Sequence, residues 1–201
     1  MCFHSKQSKS AQALKHRFKA TFEYQPTIYN GFQHPKTPVI TNRADDLIQL
    51  YNWGLIPYWS KDDSIKKNTL NAKIETIHEK PSFKDVVHNR CLVLSDGFYE
   101  WKWLDDKGKH KQKYLLTLPD YEAFAFAGLY STWTNPSTGK VLNTYAVLTT
   151  EANELMREIH NTKKRMPVIL NRTDERNWLL GRTNTLTEIQ LIATKVSTDN
   201  Q

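Results

Sequence analysis

The pattern of apolar and polar residues along the chain predicts a protein built mainly from strands. Short runs rich in aromatic and β-branched residues, each bounded by turn residues, are typical of strands. The predicted strands are Leu47–Trp53, Cys91–Ser95, Phe98–Leu104, Tyr114–Leu118, Ala123–Tyr130, Thr144–Thr149 and Pro167–Leu170. Asp, Asn and Gly cluster in the segments Asp105–Gly108 and Asn135–Gly139, and this composition predicts hairpin turns at both places.

Apolar residues recur at helical spacing in three other segments. The first helix is expected from Ser8 to Phe22, and a short third helix is expected to be capped by Thr173 and to end near Leu180. The second is expected to begin at Thr149 or Thr150, where a hydroxyl can cap it, and to bury one apolar face: Ala152, Leu155, Met156 and Ile159. Because strands outnumber helices and rarely alternate with them, we expect an α+β fold, with a largely antiparallel β-barrel-like core flanked by a few helices.

Length and composition suit one soluble domain. The 201 residues fit a single domain over residues 1–201, whose polar tail from about residue 182 we expect to end disordered. No apolar run approaches the roughly 20 residues of a membrane span, and no hydrophobic leader follows the N-terminus. These features favour a cytoplasmic protein with no membrane partner. We also expect a monomer. Neither Cys2 nor Cys91 belongs to a C-x-x-C pair, and the histidines show no ligand spacing, so we expect neither a metal site nor a cofactor.

The charge balance points to an anionic partner. Lys and Arg number 28 against 21 Asp and Glu, a net charge of +7, and six Trp and nine Tyr accompany them. Cations that follow phosphates and rings that stack on bases are the combination that single-strand binders use. An ordinary basic surface over a core of aromatic residues explains the same counts. The aromatic segment from Trp53 to Trp59 is open to both interpretations.

Cys2 is the most informative candidate for chemistry. If Met1 is removed, the α-amine and the thiol of Cys2 lie on adjacent carbons. Such a pair can form an imine with an aldehyde and then close to a five-membered thiazolidine, which no internal cysteine can do. The same thiol could instead attack an acyl group as an N-terminal nucleophile. A small residue that is merely tolerated after the initiator Met is the third interpretation.

Three more side chains could assist such chemistry. Glu100 lies between aromatic residues, where lost hydration would favour the neutral acid, unless the strand turns it toward water. His160 suits proton transfer near neutral pH, and the Lys163-Lys164-Arg165 run that follows it could hold a phosphate or form a solvated turn. The amide of Asn71 could orient an amine or hold backbone together.

Taken together, the motifs resemble the SOS response-associated peptidase family, which includes abasic site processing proteins. The resemblance rests on Met1-Cys2, WGLIPYW at 53–59, NAKIET at 71–76, RCLV at 90–93, DGFYEW at 96–101, FAGL at 126–129, and His160 followed by RMPVIL at 165–170. It implies an α+β domain that binds single-stranded DNA at abasic sites. It also implies a stable thiazolidine crosslink between the exposed cysteine and the sugar aldehyde, in a DNA damage response.

The resemblance also assigns roles to residues of this chain. Cys2 is the nucleophile, Asn71 positions its amine, and Glu100 and His160 handle protons. A second set contacts DNA, with Arg165 and Lys73 on backbone phosphates and two residues that shape the DNA-facing surface, Trp53 and Pro35.

The chain departs from the family pattern at three places, and two other functions stay open. Phe3-His4 stand where Gly-Arg is usual, Lys73 replaces an arginine, and four residues separate His160 from Arg165. One alternative is a cysteine peptidase of the N-terminal-nucleophile kind, whose mildest action is removal of its own Met1. The other is a non-catalytic binder of single-stranded nucleic acid.

Overall fold

The computed structural model describes residues 2–20, 27–182 and 189–197. Within these residues the chain forms three α-helices, which are α1 (Ala11–Phe18), α2 (Glu154–Ile159) and α3 (Arg172–Leu179). The strands are β1 (His4–Gln7), β2 (Thr27–Asn30), β3 (Lys36–Thr41), β4 (Ala44–Trp53), β5 (Asn71–Lys73), β6 (Arg90–Ser95), β7 (Gly97–Trp103), β8 (Lys111–Thr117), β9 (Phe124–Thr134), β10 (Val141–Glu151), β11 (Arg165–Pro167), β12 (Ile169–Leu170) and β13 (Ile192–Lys195).

Five strands close into a barrel. Their order is β10, β4, β3, β6 and β9, and β9 pairs back onto β10. The neighbours in this barrel are antiparallel except for β4 and β10, which run parallel. Strand β5 adds a second parallel pairing to β10, with Asn71 opposite Val147. The expected α+β fold with a largely antiparallel barrel-like core is confirmed.

A second sheet carries the N-terminal strand beside the middle of the chain. Its order is β13, β8, β7, β1 and β2, with every pairing antiparallel. In the ladder between β1 and β7, His4 lies opposite Tyr99 and Ser5 opposite Phe98. Continued by one residue, this register sets Phe3 opposite Glu100. Strand pairing therefore brings the start of the chain to the middle of β7.

Most of the barrel strands are buried on both faces along much of their length, whereas β4 has exposed residues that include Leu47 and Leu50. Along β9, Phe124 and Phe126 belong to one apolar cluster, whereas Ala125 and Ala127 belong to another. Alternate residues of a strand point to opposite faces, so each barrel strand supplies side chains to two cores. This explains why strands such as β6 and β9 read as continuous apolar runs rather than as alternating ones.

The helices begin and end at residues that differ from the predicted ones. Helix α1 is capped by Ser10 and ends at Phe18, because Lys19 adopts a left-handed conformation with φ of 53°; Phe22 lies outside the described residues. Helix α2 is capped by Asn153 rather than by Thr149 or Thr150, since β10 continues through those threonines to Glu151.

The cap of α3 and the buried face of α2 can also be compared with their predictions. Asn171, not Thr173, caps α3, and its side chain accepts a hydrogen bond from the Asp174 N–H. Of the apolar face predicted for α2, Ala152, Met156 and Ile159 are buried as expected, whereas Leu155 is only half-buried. Pattern thus located the helices, whereas local hydrogen bonds decide where they start.

The polar tail is partly ordered. Strand β13 pairs with β8, with Ile192 opposite Thr117, so the expectation of a disordered tail is wrong for Ile192–Lys195. Residues 183–188 and 198–201 lie outside the described residues. Both predicted hairpin turns are confirmed, and their glycines, Gly108 and Gly139, have positive φ. In the described part of the chain, no helix is long and apolar enough to cross a membrane.

Candidate active site

Cys2 lies two residues before the first residue of β1, and its side chain points into the protein. Its side chain is fully buried in the apolar cluster that also contains Phe124 and Phe126, and its Sγ lies 4.0 Å from the His4 carbonyl oxygen. Burial raises the pKa of the thiol, and the nearby charge of Glu100 raises it further. The expectation of an exposed cysteine is therefore wrong, because the pairing of β1 with β2 and β7 draws this end of the chain into the core.

Asn71 reaches Cys2 from the first residue of β5. Its Nδ2 donates a hydrogen bond of 3.0 Å to the Cys2 carbonyl oxygen. Its Oδ1 is buried and has no hydrogen-bond partner among the described residues. The amide thus holds the Cys2 backbone with its nitrogen and keeps an oxygen acceptor beside it.

Glu100 occupies the centre of β7 on the buried side. The residue is only 5% exposed, which decides the orientation that strand alternation left open. Burial raises the pKa of its carboxyl from 4.5 to about 7. A carboxyl with this pKa can both donate and accept a proton near neutral pH.

His160 follows the last residue of α2 and is 7% exposed. Its Nδ1 lies 2.7 Å from the Arg165 carbonyl oxygen. The Arg165 N–H also points at this nitrogen, at 3.4 Å. The contact with the carbonyl oxygen is much shorter and requires a proton on Nδ1, because a carbonyl oxygen only accepts, and this leaves Nε2 as the basic nitrogen. Burial lowers the pKa of the imidazole, and the charge of Lys163 acts in the same direction. The ring is therefore a neutral base at physiological pH.

Glu100 and His160 line the same cleft, which has a volume of about 250 Å³. Aromatic and basic side chains complete much of its wall: Phe3, Trp101, Trp103 and Lys111. The ammonium of Lys111 lies 5.0 Å from the centre of the Trp103 ring, and these residues are paired across β7 and β8. Rings beside cations suit a nucleotide with its phosphate.

These wall residues were missed by reasoning from the sequence. Trp101 and Trp103 alternate along β7, and Lys111 and Lys113 alternate along β8 opposite them. The matching alternation of rings and lysines on two consecutive strands is the signal that could have found them. Among the described residues, no group of three or more His, Cys, Asp or Glu is placed to hold a metal ion.

Comparison with known proteins identifies the family. The sequence profile named SOS response associated peptidase (SRAP) matches residues 1–200. The chain belongs to this family. The Abasic site processing protein YoqW of Bacillus subtilis (strain 168) is 42% identical over 158 residues, which cover 78% of this chain and 68% of that protein. The Abasic site processing protein HMCES of Xenopus tropicalis is 30% identical over 203 residues, covering 85% of this chain but only 58% of that protein.

Solved structures agree with the assignment to the SRAP family's fold. A crystal structure of a protein from Bacteroides thetaiotaomicron matches with a TM-score of 0.85 at 32% identity, covering 98% of this chain and 93% of that one. A protein from Bordetella bronchiseptica matches with a TM-score of 0.84 at 24% identity, covering 98% of this chain and all of the other. The second likeness shows the fold alone.

The two basic residues expected to hold phosphates differ in their exposure and in the contacts of their side chains. Lys73, the last residue of β5, is exposed. Arg165 forms a bidentate ion pair with Glu75, with N–O distances of 2.9 and 2.8 Å, and also donates to the Thr149 carbonyl oxygen at 2.6 Å. Its side chain is only 12% exposed. In this SRAP protein the arginine is therefore already engaged by a carboxylate.

The two residues expected to shape a DNA-facing surface are mostly internal. Trp53 is 1% exposed, stacks on Tyr145 at 6.1 Å between ring centres, and donates its indole N–H to the Leu70 carbonyl oxygen. Its ring therefore offers no face to a base. Pro35 is half-buried, and its carbonyl accepts the Trp53 backbone N–H at 2.9 Å.

Proposed function

We propose that this SRAP protein recognises abasic sites in single-stranded DNA and, once Met1 is removed, shields them by forming a thiazolidine crosslink through Cys2. One observation carries the proposal. Two proton-transfer groups, Glu100 and His160, line a single cleft, which we call the lesion cleft, and the charge of Glu100 acts on the thiol of the buried Cys2. The names of the relatives, abasic site processing proteins, support the choice of lesion.

The first bond in the proposed reaction is made by the α-amine of Cys2. An α-amine titrates near pH 8, so a useful fraction is neutral at physiological pH. It adds to the C1′ aldehyde of the opened sugar, and the resulting carbinolamine loses water to give an imine. The buried Oδ1 of Asn71 supports this step, because it offers the amine an acceptor beside the carbonyl that the same amide already holds.

Glu100 and His160 handle the protons of ring opening and imine formation. The pKa of about 7 gives Glu100 comparable populations of acid and carboxylate at neutral pH, so it can protonate the departing hydroxyl and later accept a proton. The Nε2 of His160 can take the proton of the anomeric hydroxyl when the sugar ring opens. Pairs of groups whose environments separate their proton affinities are suited to acid and base roles.

Closure of the ring protects the strand. The Sγ of Cys2 adds to the imine carbon, and the thiol proton ends on the nitrogen. The overall change joins the aldehyde and the cysteine with loss of one water. Because an imine left open would promote β-elimination and strand breakage, removal of this electron-poor carbon keeps the DNA backbone intact.

The experiment mixes the protein with a single-stranded oligonucleotide that holds one abasic site. We expect an adduct on a denaturing gel, with the mass of the protein without Met1 plus the oligonucleotide minus one water. Cys2→Ala is expected to form no stable adduct, whereas the control Cys91→Ala, which changes the other buried cysteine, forms it normally. A stable adduct with Cys2→Ala, or none with the unaltered protein, would overturn the proposal.

The peptidase alternative is favoured by the position of Glu100, which could also serve hydrolysis of the Met1–Cys2 bond. Intact mass separates the possibilities. Retention of Met1 in Glu100→Ala, while the unaltered protein loses it, supports self-processing; loss from both points to a separate aminopeptidase. If Cys2→Ala and the unaltered protein behave alike toward abasic and intact strands, the protein is a non-catalytic binder.

A further inference from the structure

A second cleft, beside the lesion cleft, carries a strong positive charge. It has a volume of about 380 Å³ and is lined by four cationic residues and one carboxylate: Arg157, Lys163, Lys164, Arg165 and Glu151. Lys163 lines this cleft and the lesion cleft as well. We propose that the second cleft binds a backbone phosphate of the DNA strand next to the lesion, and that Lys163 is the residue that holds it. The identity of the strand rests on the proposed function.

Of the four cations in this cleft, Arg165 is already paired with Glu75, and the carboxylate that lines the cleft engages Arg157 only loosely. Glu151 approaches Arg157 only to 3.9 Å, and their side chains are 80% and 59% exposed. An exposed pair at this distance contributes little energy and is easily rearranged. The cleft therefore keeps an excess of cations that an anionic group can neutralise.

The backbone around Lys163 is held in place before any ligand arrives. Asn161 clamps the loop to β7, because its Oδ1 accepts the Trp103 N–H at 3.1 Å and its Nδ2 donates to the Trp103 carbonyl at 2.9 Å. Lys164 donates its N–H to the His160 carbonyl at 2.9 Å and accepts the Ala152 N–H at 3.0 Å. A loop ordered in advance lowers the entropy lost on binding.

Arg165 and Lys163 divide two tasks between them. The guanidinium of Arg165 is held by Glu75 and Thr149, and its carbonyl fixes the His160 ring, so Arg165 is a positioning residue. Lys163 is exposed, and its charge acts on His160. A lysine ammonium on a flexible stem binds phosphate as a point charge, and its place between the clefts lets it reach the phosphate that joins the lesion to its neighbour.

The test measures reversible binding of a single-stranded oligonucleotide with a tetrahydrofuran abasic analogue, which has no aldehyde. Lys163→Ala is expected to weaken binding about three- to tenfold and to lower the salt slope of log K by about 0.7. Lys163→Arg restores both. Lys140→Ala, which removes an exposed lysine at the β9–β10 turn, is the matched control and is expected to leave the salt slope closer to that of the unaltered protein.

A single uncharged methylphosphonate linkage then locates the contact. The linkage is placed in turn at each position beside the analogue. At one position it is expected to weaken binding of the oligonucleotide by the unaltered protein, whereas Lys163→Ala shows no further loss of binding there. Equal sensitivity of the two proteins at every linkage, or an unchanged salt slope in Lys163→Ala, would overturn the proposal. Because the analogue cannot form an imine, failure of the crosslinking experiment above would leave this result standing.

Discussion

Replacing Glu100 with glutamine is expected to stabilise the fold at alkaline pH, although it removes a proton-transfer group from the lesion cleft. In the native protein, burial raises the pKa of this carboxyl from 4.5 to about 7. The folded chain therefore binds more protons than the unfolded chain between these values, so the stability that this group contributes falls as the pH rises through them. Glutamine keeps the shape of the neutral acid and cannot ionise.

The magnitude follows from the two pKa values. One pKa unit is worth about 1.4 kcal/mol, so the interval from 4.5 to about 7 corresponds to about 3 kcal/mol. The full difference in the free energy of unfolding between the variant and the unaltered protein is expected only well above pH 7. There the native carboxyl is ionised although it is buried. At about pH 4 both states of the unaltered protein hold the proton, and the difference falls to near zero.

Urea denaturation followed by tryptophan fluorescence measures this effect. We expect the free energy of unfolding of Glu100→Gln to exceed that of the unaltered protein by about 3 kcal/mol at about pH 8.5 and to match it at about pH 4. Glu79→Gln, at an exposed position, is the control and is expected to follow the unaltered protein at both pH values. A gain of equal size at both pH values, or a loss at alkaline pH, would refute the reasoning.

Two further predictions concern an ion pair and the amide at Cys2. Arg17 and Glu175 form an ion pair of 2.7 Å with side chains 14% and 9% exposed. Arg17→Met is therefore expected to lower the free energy of unfolding by about 3 kcal/mol, and the further change Glu175→Gln is expected to recover part of this loss. A loss below about 1 kcal/mol in urea denaturation contradicts the prediction. Asn71→Ala is expected to slow adduct formation at saturating abasic oligonucleotide by about tenfold or more, because the amine of Cys2 loses its positioning group. Asn143→Ala, whose amide bonds an exposed threonine, is the control, and equal rates for the two variants count against the assigned role.

The barrel could be predicted from the sequence because the signal for it is local. Strands buried on both faces read as apolar runs wherever they occur. The sequence pattern did not predict strand β3, because the strand contains Pro38, and proline argues against a strand in the interior of a sheet. The structure accommodates the proline where the ladder between β3 and β6 has not yet begun, since that ladder starts at Val39. Strand β1 was not predicted either, because its polar residues form a strand only through long-range pairing.

The residues of the site could be named from the sequence, but their arrangement could not. Cys2 and His160 are far apart in the chain, and no spacing rule brings them together; only the family resemblance did so. The burial of Cys2 depends on the register between β1 and β7, and the pairing of Arg165 with Glu75 joins residues 90 positions apart. Contacts of this kind follow from topology rather than from any local pattern.

The burial of Cys2 also determines which of its two nucleophiles acts first in the proposed reaction. Because burial raises the pKa of the thiol, the thiolate is scarce at neutral pH, and a mechanism that begins with thiolate attack starts from a minor species. The α-amine needs no such ionisation, since its neutral form is well populated near pH 8. Once the amine has formed the imine, the thiol is held next to the imine carbon, and closure to a five-membered ring is an intramolecular step that gains from proximity. A buried thiol is therefore a handicap for a peptidase that opens with sulfur attack, but it is compatible with a crosslink in which nitrogen reacts first and sulfur second.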